Sequence, residues 1–117
     1  MALAATNAST YRSCTATLDA ASQWTPAVYL HGNMEMDIII DGSTNSFSGT
    51  LKLQRSRSGG DAFTTKDYVT DVNGTDYSWT GDATPVIQMA VPAYYRLEVS
   101  AFTSGSALVE LRAGNRD

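Results

Sequence analysis

Between Trp24 and Arg112 the chain is a succession of short runs rich in β-branched and aromatic residues, cut every few positions by Gly, Asn, Asp or Pro. No window of about 11 residues keeps a helical period, so no amphipathic helix is on hand to cover a sheet, and strands must cover strands. Strands are predicted over residues 27–30, 34–40, 47–55, 66–72, 75–79, 86–89, 94–101 and 107–112. The turns between them have local causes. His31-Gly32-Asn33, Asp41-Gly42 and Ser104-Gly105 supply residues that tolerate a left-handed backbone. Asn73-Gly74 is the pair favoured in a two-residue turn, and predicts that residues 66–72 and 75–79 form a hairpin.

Alternation assigns the faces. Leu51 and Leu53 point one way, Lys52 and Gln54 the other. Tyr95, Leu97, Val99 and Ala101 alternate with Tyr94, Arg96, Glu98 and Ser100, and Ala107, Val109 and Leu111 alternate with Leu108, Glu110 and Arg112. Met34, Met36, Ile38 and Ile40 form a further inward row against Glu35 and Asp37. Ile39 interrupts the polar side of that strand, which points to a face covered by something else. The adjacent Tyr94-Tyr95 pair must send one ring outward, because neighbouring residues occupy opposite faces of a pleat.

Residues 1–22 lack this pattern. Leu3, Tyr11 and Leu18 are too sparse for a stripe, and Thr6, Asn7, Ser9, Thr10, Thr15 and Thr17 compete for the backbone, so the segment is expected to be an arm that gains order by lying on a neighbouring subunit. The organisation expected is an arm over 1–22 and a sandwich over 23–117.

The 117 residues suffice for one domain. Twelve acidic against eight basic residues give a net charge of −4, which offers no positive surface for a nucleic-acid backbone. Charged residues make up 17% of the chain, below the roughly 25% of an ordinary domain, while 14 Thr and 12 Ser imply a hydroxyl-rich surface. No apolar run reaches the roughly 18 residues of a membrane span, and residues 1–22 lack the basic start and apolar core of a secretion signal. A product made in the cytoplasm, neither secreted nor membrane-spanning and with no membrane partner, is expected.

Reactive groups are few. His31 stands alone in a predicted turn, and Cys14 has neither a disulfide partner nor a neighbouring base. The spacing of Asp71, Asn73 and Asp76, or of Asp41 and its neighbours, matches no calcium loop, and Gly59-Gly60 lacks the lysine of a phosphate-binding loop. No catalytic residue, metal or cofactor is expected. Arg55 and Arg57 flank that glycine turn and are placed to pair with carboxylates of a neighbour. Trp24, Trp79 and Phe63 raise the alternative of stacking on a sugar.

The segments 49–60 (GTLKLQRSRSGG), Phe63-Thr64, Tyr77-Ser78-Trp79 and 94–105 (YYRLEVSAFTSG), with Trp24-Thr25-Pro26 and the run 34–40, resemble a small immunoglobulin-like β-sandwich module of tailed-bacteriophage virion proteins. The resemblance spans about residues 23–112, with Ser58 where that module's glycine turn carries an aspartate. It implies an all-β, two-layer antiparallel sandwich, immunoglobulin-like or jelly-roll-like, with an extended N-terminal arm. It further implies a non-enzymatic capsid cement or decoration protein, a homotrimer bound to the major capsid protein on the outer surface of the capsid. Tyr11, Arg55, Arg57, Tyr94 and Arg96 are the expected interface residues. The alternatives are a host-adhesion module that holds a surface glycan through Trp24 and Trp79, and a tail or neck accessory protein.

Overall fold

The strands form where alternation places them, and one more forms where it does not. A computed structural model describes residues 11–30, 34–56, 63, 66–71, 73–89 and 93–114. Its elements are β1 (Tyr11–Leu18), β2 (Val28–Leu30), β3 (Met34–Asp41), β4 (Ser48–Ser56), β5 (Lys66–Tyr68), β6 (Ser78–Trp79), β7 (Val86–Met89), β8 (Ala93–Ser104) and β9 (Ala107–Gly114). The strands pair antiparallel throughout.

Pairing is nested from the outside in. β1 pairs with β9, β2 with β8, β3 with β7, and β4 with β5 and β6. Successive pairs of this folded ribbon fall in alternate sheets, and the contacts β9–β3 and β8–β4 close the roll. The result is a sheet of order β1-β9-β3-β7 against a sheet of order β2-β8-β4-β5, with β6 beside β5 on β4. This order is that of a jelly roll, which decides between the two sandwich types expected.

The core lies between the sheets. Leu30, Met36, Ile38, Leu51, Leu53, Tyr95, Leu97 and Leu111 are fully buried there, in the inward phase that alternation assigns, and Ile39 points out. The phase fails at one place. Ala101, expected inward, is exposed, and Phe102 packs on the core instead. The cause is a register shift between Thr50 and Leu51, which places Thr50 opposite Ala101 but Leu51 opposite Val99. A second shift lies beside Gly49, whose missing side chain leaves room for the Ala101 carbonyl: a Cβ there would sit 2.5 Å from that oxygen.

The expected arm is corrected over its second half. Residues 11–18 are a strand of the sandwich, in register with β9 from Tyr11 opposite Gly114 to Leu18 opposite Ala107. Leu18 is buried, Cys14 and Ala16 pack on the core, and Ser13 and Thr17 are exposed. Without β1 this edge of β9 would leave a row of backbone groups unpaired, which is reason enough for a weakly apolar segment to dock. Burial also pushes the Cys14 thiol above its ordinary range. Residues 1–10 lie outside the described residues.

The expected hairpin at Asn73-Gly74 forms only near its tip, where the Tyr77 N–H donates to the Val69 carbonyl at 3.0 Å, and its extent is corrected. β5 and β6 run in the same direction along one edge of β4, and residues 70–76 make a small excursion between them. Thr70 and Asp76 bridge across it, the Asp71 N–H donates to the Thr75 carbonyl at 2.9 Å, and Gly74 is left-handed, with φ of 81°. The connection is therefore three residues long, held by the Asp71 carboxylate, which accepts from the N–H groups of Asn73 (2.8 Å) and Thr75 (3.1 Å).

Of the two further glycine turns, Ser104-Gly105 takes the expected left-handed backbone, whereas Asp41-Gly42 is corrected: Gly42 is not left-handed, and the positive φ of that turn falls on Ser46, at 54°. Asp82 accepts from the N–H groups of Gly42 and Ser43 and from the Ser43 hydroxyl, bonds that hold its carboxyl below the ordinary range. Gly105, left-handed at φ of 78°, turns β8 into β9 so close to the Ser46 carbonyl that no side chain fits. The His31-Gly32-Asn33 turn, Arg57, Ser58 and Gly59-Gly60 lie outside the described residues.

Candidate functional site

The outer face of the β2-β8-β4-β5 sheet concentrates the chemistry of the molecule. Register sets Arg96 opposite Gln54, and Gln54 opposite Tyr68, while Glu98 lies opposite Lys52. Arg96 Nε–H donates to Gln54 Oε1 at 2.7 Å, and Gln54 Nε2–H donates to Glu98 Oε1 at 3.3 Å. The Tyr68 hydroxyl donates to the same Glu98 oxygen at 2.6 Å, and that bond to a carboxylate, with burial behind it, pushes the phenol up to about 12. Lys52 lies 5.0 Å from the Tyr68 ring centre and pairs with Asp76 at 3.2 Å.

At the head of this chain Arg96 is only 7% exposed although it faces away from the core. Two rings cover it. Trp24, held to β8 by a bridge opposite Glu98, lies 4.3 Å from the guanidinium carbon, and Phe63 lies 4.0 Å from it on a left-handed backbone with φ of 53°. An aromatic residue rarely adopts that conformation, and here it brings the ring onto the cation. Burial lowers the Arg96 pKa, and the nearby charge of Glu98 offsets part of that shift. Thr25 is buried beside them, its hydroxyl donating to the Pro26 carbonyl at 2.9 Å and accepting the Leu97 N–H at 3.1 Å.

The sequence-predicted residues separate. Arg55 finds its carboxylate within its own chain: Nε and Nη2 donate to the two oxygens of Asp67, directly opposite on β5, at 3.2 and 2.8 Å, and its pKa is raised accordingly. Tyr94 is the outward member of the tyrosine pair and packs on Tyr29 across the strands, ring centres 4.9 Å apart, while Tyr95 is buried in the core. Trp24 is 53% exposed, but Trp79 lies opposite Leu51 on the inner side of the sheet, stacked on Tyr77 at 6.2 Å. The two indoles therefore face opposite sides of one sheet and form no joint platform. Tyr11 lies in β1, at the Gly114 end. The carboxylates weighed for a cation are otherwise engaged, Asp71 in its turn, Asp76 with Lys52, and Asp41 with the Thr44 N–H and hydroxyl.

The outer face of the other sheet is built differently. Its rows read Thr17, Leu108, Asp41; then Thr15, Glu110, Ile39; then Ser13, Arg112, Asp37, Val86. Leu108, Ile39 and Val86 thus run diagonally over three strands, and they are 40%, 37% and 59% exposed. The upper part of this diagonal is a hollow of about 520 Å³ lined by Thr15, Thr17, Ile39, Asp41, Leu108 and Glu110 among others.

No family model matches the chain, and no curated protein matches it. Among solved structures it is similar to the cupin domain of Schizosaccharomyces pombe Cnp3, at 11% identity and a TM-score of 0.42, over 91% of this chain and 54% of that one. The chain spans about half the length of that structure.

Proposed function

We propose that this protein is a non-enzymatic structural component of a tailed-bacteriophage virion. In this reading it is a decoration protein, a homotrimer that sits on the outer surface of the capsid and stiffens the head by contact with the major capsid protein and with its own copies. The supporting observation is the diagonal of Leu108, Ile39 and Val86 on the outer face of β1-β9-β3-β7. Three exposed apolar side chains in one line, flanked by threonines and acids, form a strip that gains by being covered, about 1 kcal/mol for each half-buried side chain. Small per copy, that gain multiplies over a symmetric shell.

The jelly-roll body is compatible with this role and with others, since one fold serves many functions. The place on a phage head comes from the sequence resemblance. Electron microscopy of purified virions, with mass spectrometry for copies per particle, tests it. Hundreds of copies spread over the shell are expected. About a dozen at one vertex would move the protein to the neck or tail, and absence from the particle overturns the reading.

A further inference from the structure

We propose that the hollow framed by Trp24, Phe63 and the free edge of Arg96 receives a peptide carboxylate, carried beside an apolar side chain on an extended segment of a partner protein. The hollow has a volume of about 530 Å³ and is lined by Trp24, Thr25, Pro26, Ala27, Phe63 and Arg96. It lies on the sheet face opposite to the apolar diagonal and does not depend on where the protein is seated.

Arg96 carries the argument. The residue is only 7% exposed, the rings of Trp24 and Phe63 lie 4.3 and 4.0 Å from its guanidinium carbon, and Nε is spent on Gln54. Among the described residues no carboxylate touches it, because Glu98 reaches it only through Gln54. A buried cation without a directly bonded anion is costly, and such a group is kept where an anion completes it. The two Nη groups form a planar fork at the remaining edge, the geometry that a carboxylate accepts with both oxygens. Gln54, Glu98 and Tyr68 hold that fork in place, and Phe63 accepts a strained backbone to cover it.

The walls choose among anions. Trp24, Pro26, Ala27 and Phe63 offer apolar surface, and among the described lining residues the one hydroxyl, that of Thr25, is already donating and accepting. A sugar would leave its hydroxyls unpaired here, and a phosphate would meet one cation where it needs more donors. A carboxylate beside a leucine-like or aromatic side chain satisfies both the fork and the walls.

The test is titration of the full chain, followed through the Trp24 indole N–H by NMR. The probes are N-acetyl-L-phenylalanine, which mimics a chain terminus, and acetyl-Leu-Glu-amide, which mimics an acidic side chain. Controls are N-acetyl-L-phenylalanine amide, D-glucuronate and inorganic phosphate. Saturable shifts with at least one carboxylate peptide are expected, and none with the amide. The peptide that shifts the signal identifies the source. Arg96→Lys, checked for an unchanged melting curve, should weaken binding at least about tenfold, since an ammonium lacks the fork. Amide binding equal to acid binding, undiminished binding in a folded Arg96→Lys protein, tighter binding of glucuronate or phosphate than of both peptides, or no saturable shift with either peptide overturns the proposal.

Discussion

The two sheets turn different surfaces outward. On β2-β8-β4-β5, polar side chains bond to one another in a chain from Arg96 through Gln54 and Glu98 to Tyr68, and rings cover the one cation at its head. On β1-β9-β3-β7, hydroxyls and acids flank an apolar diagonal that no described residue covers. The first surface is organised before any partner arrives, and the second gains only when something covers it. In the two proposals made above, specificity belongs to the first face and contact area to the second.

Substitutions break or sharpen this contrast, and the largest effect severs the joint between the faces. Gly105→Ala places a methyl group against the Ser46 carbonyl in a left-handed turn, and should cost at least about 3 kcal/mol in chemical denaturation. Arg96→Ala uncovers Trp24 and Phe63 and leaves the Gln54 acceptor unpaired, with an expected loss of about 2–4 kcal/mol in the same measurement. The double variant Ile39→Thr with Leu108→Thr should change stability by no more than about 0.5 kcal/mol per site while abolishing, in light scattering, the self-association proposed above, because those side chains do little until covered. An equal loss of stability from this pair would make the diagonal part of the fold and erase the contrast.

The smallest effect is spectroscopic. Tyr68 gives up its proton at about 12 in the folded chain, above the ordinary 10.0. Folding therefore favours its neutral form, so this contribution to stability is complete below pH 10 and is lost as pH rises through about 12. Burial in the core raises Tyr95 as well, so tyrosinate absorbance should show late-titrating tyrosine of which the Tyr68 part moves back toward 10 in Glu98→Gln. A Tyr68 that titrates with the exposed tyrosines would show that the network is not held in solution.

Much of the fold was legible from alternation. β3, β4, β8 and β9 lie where their inward rows predict them, and the outward Ile39 already signalled a face awaiting cover. β1 was illegible because its inward residues beyond Leu18 are Cys14 and Ala16, too small to mark a stripe, and its order comes from the free edge of β9. Ala101 was misplaced because a bulge is a property of two paired strands and leaves no trace in one. Arg55 and Arg96 looked alike as outlying cations. Only the pairing of β4 with β5 gives the first its Asp67, and only the Trp24 bridge and the placement of Phe63 bury the second. Alternation brought Gln54 and Glu98 outward, but their meeting with Arg96 depends on a register that no local pattern specifies.

The nested winding of the ribbon also bears on how the chain is born. β9 leaves the ribosome after β1–β8, yet it lies between β1 and β3 and is the strand through which β1 joins the sheet. A nascent chain stalled before residue 107 would hold one sheet nearly complete and the other in unconnected pieces, with sticky edges on display. The β1-β9-β3-β7 sheet is thus joined up only once β9 has emerged, and ribosome-bound intermediates that lack β9 should be the forms that chaperones seize.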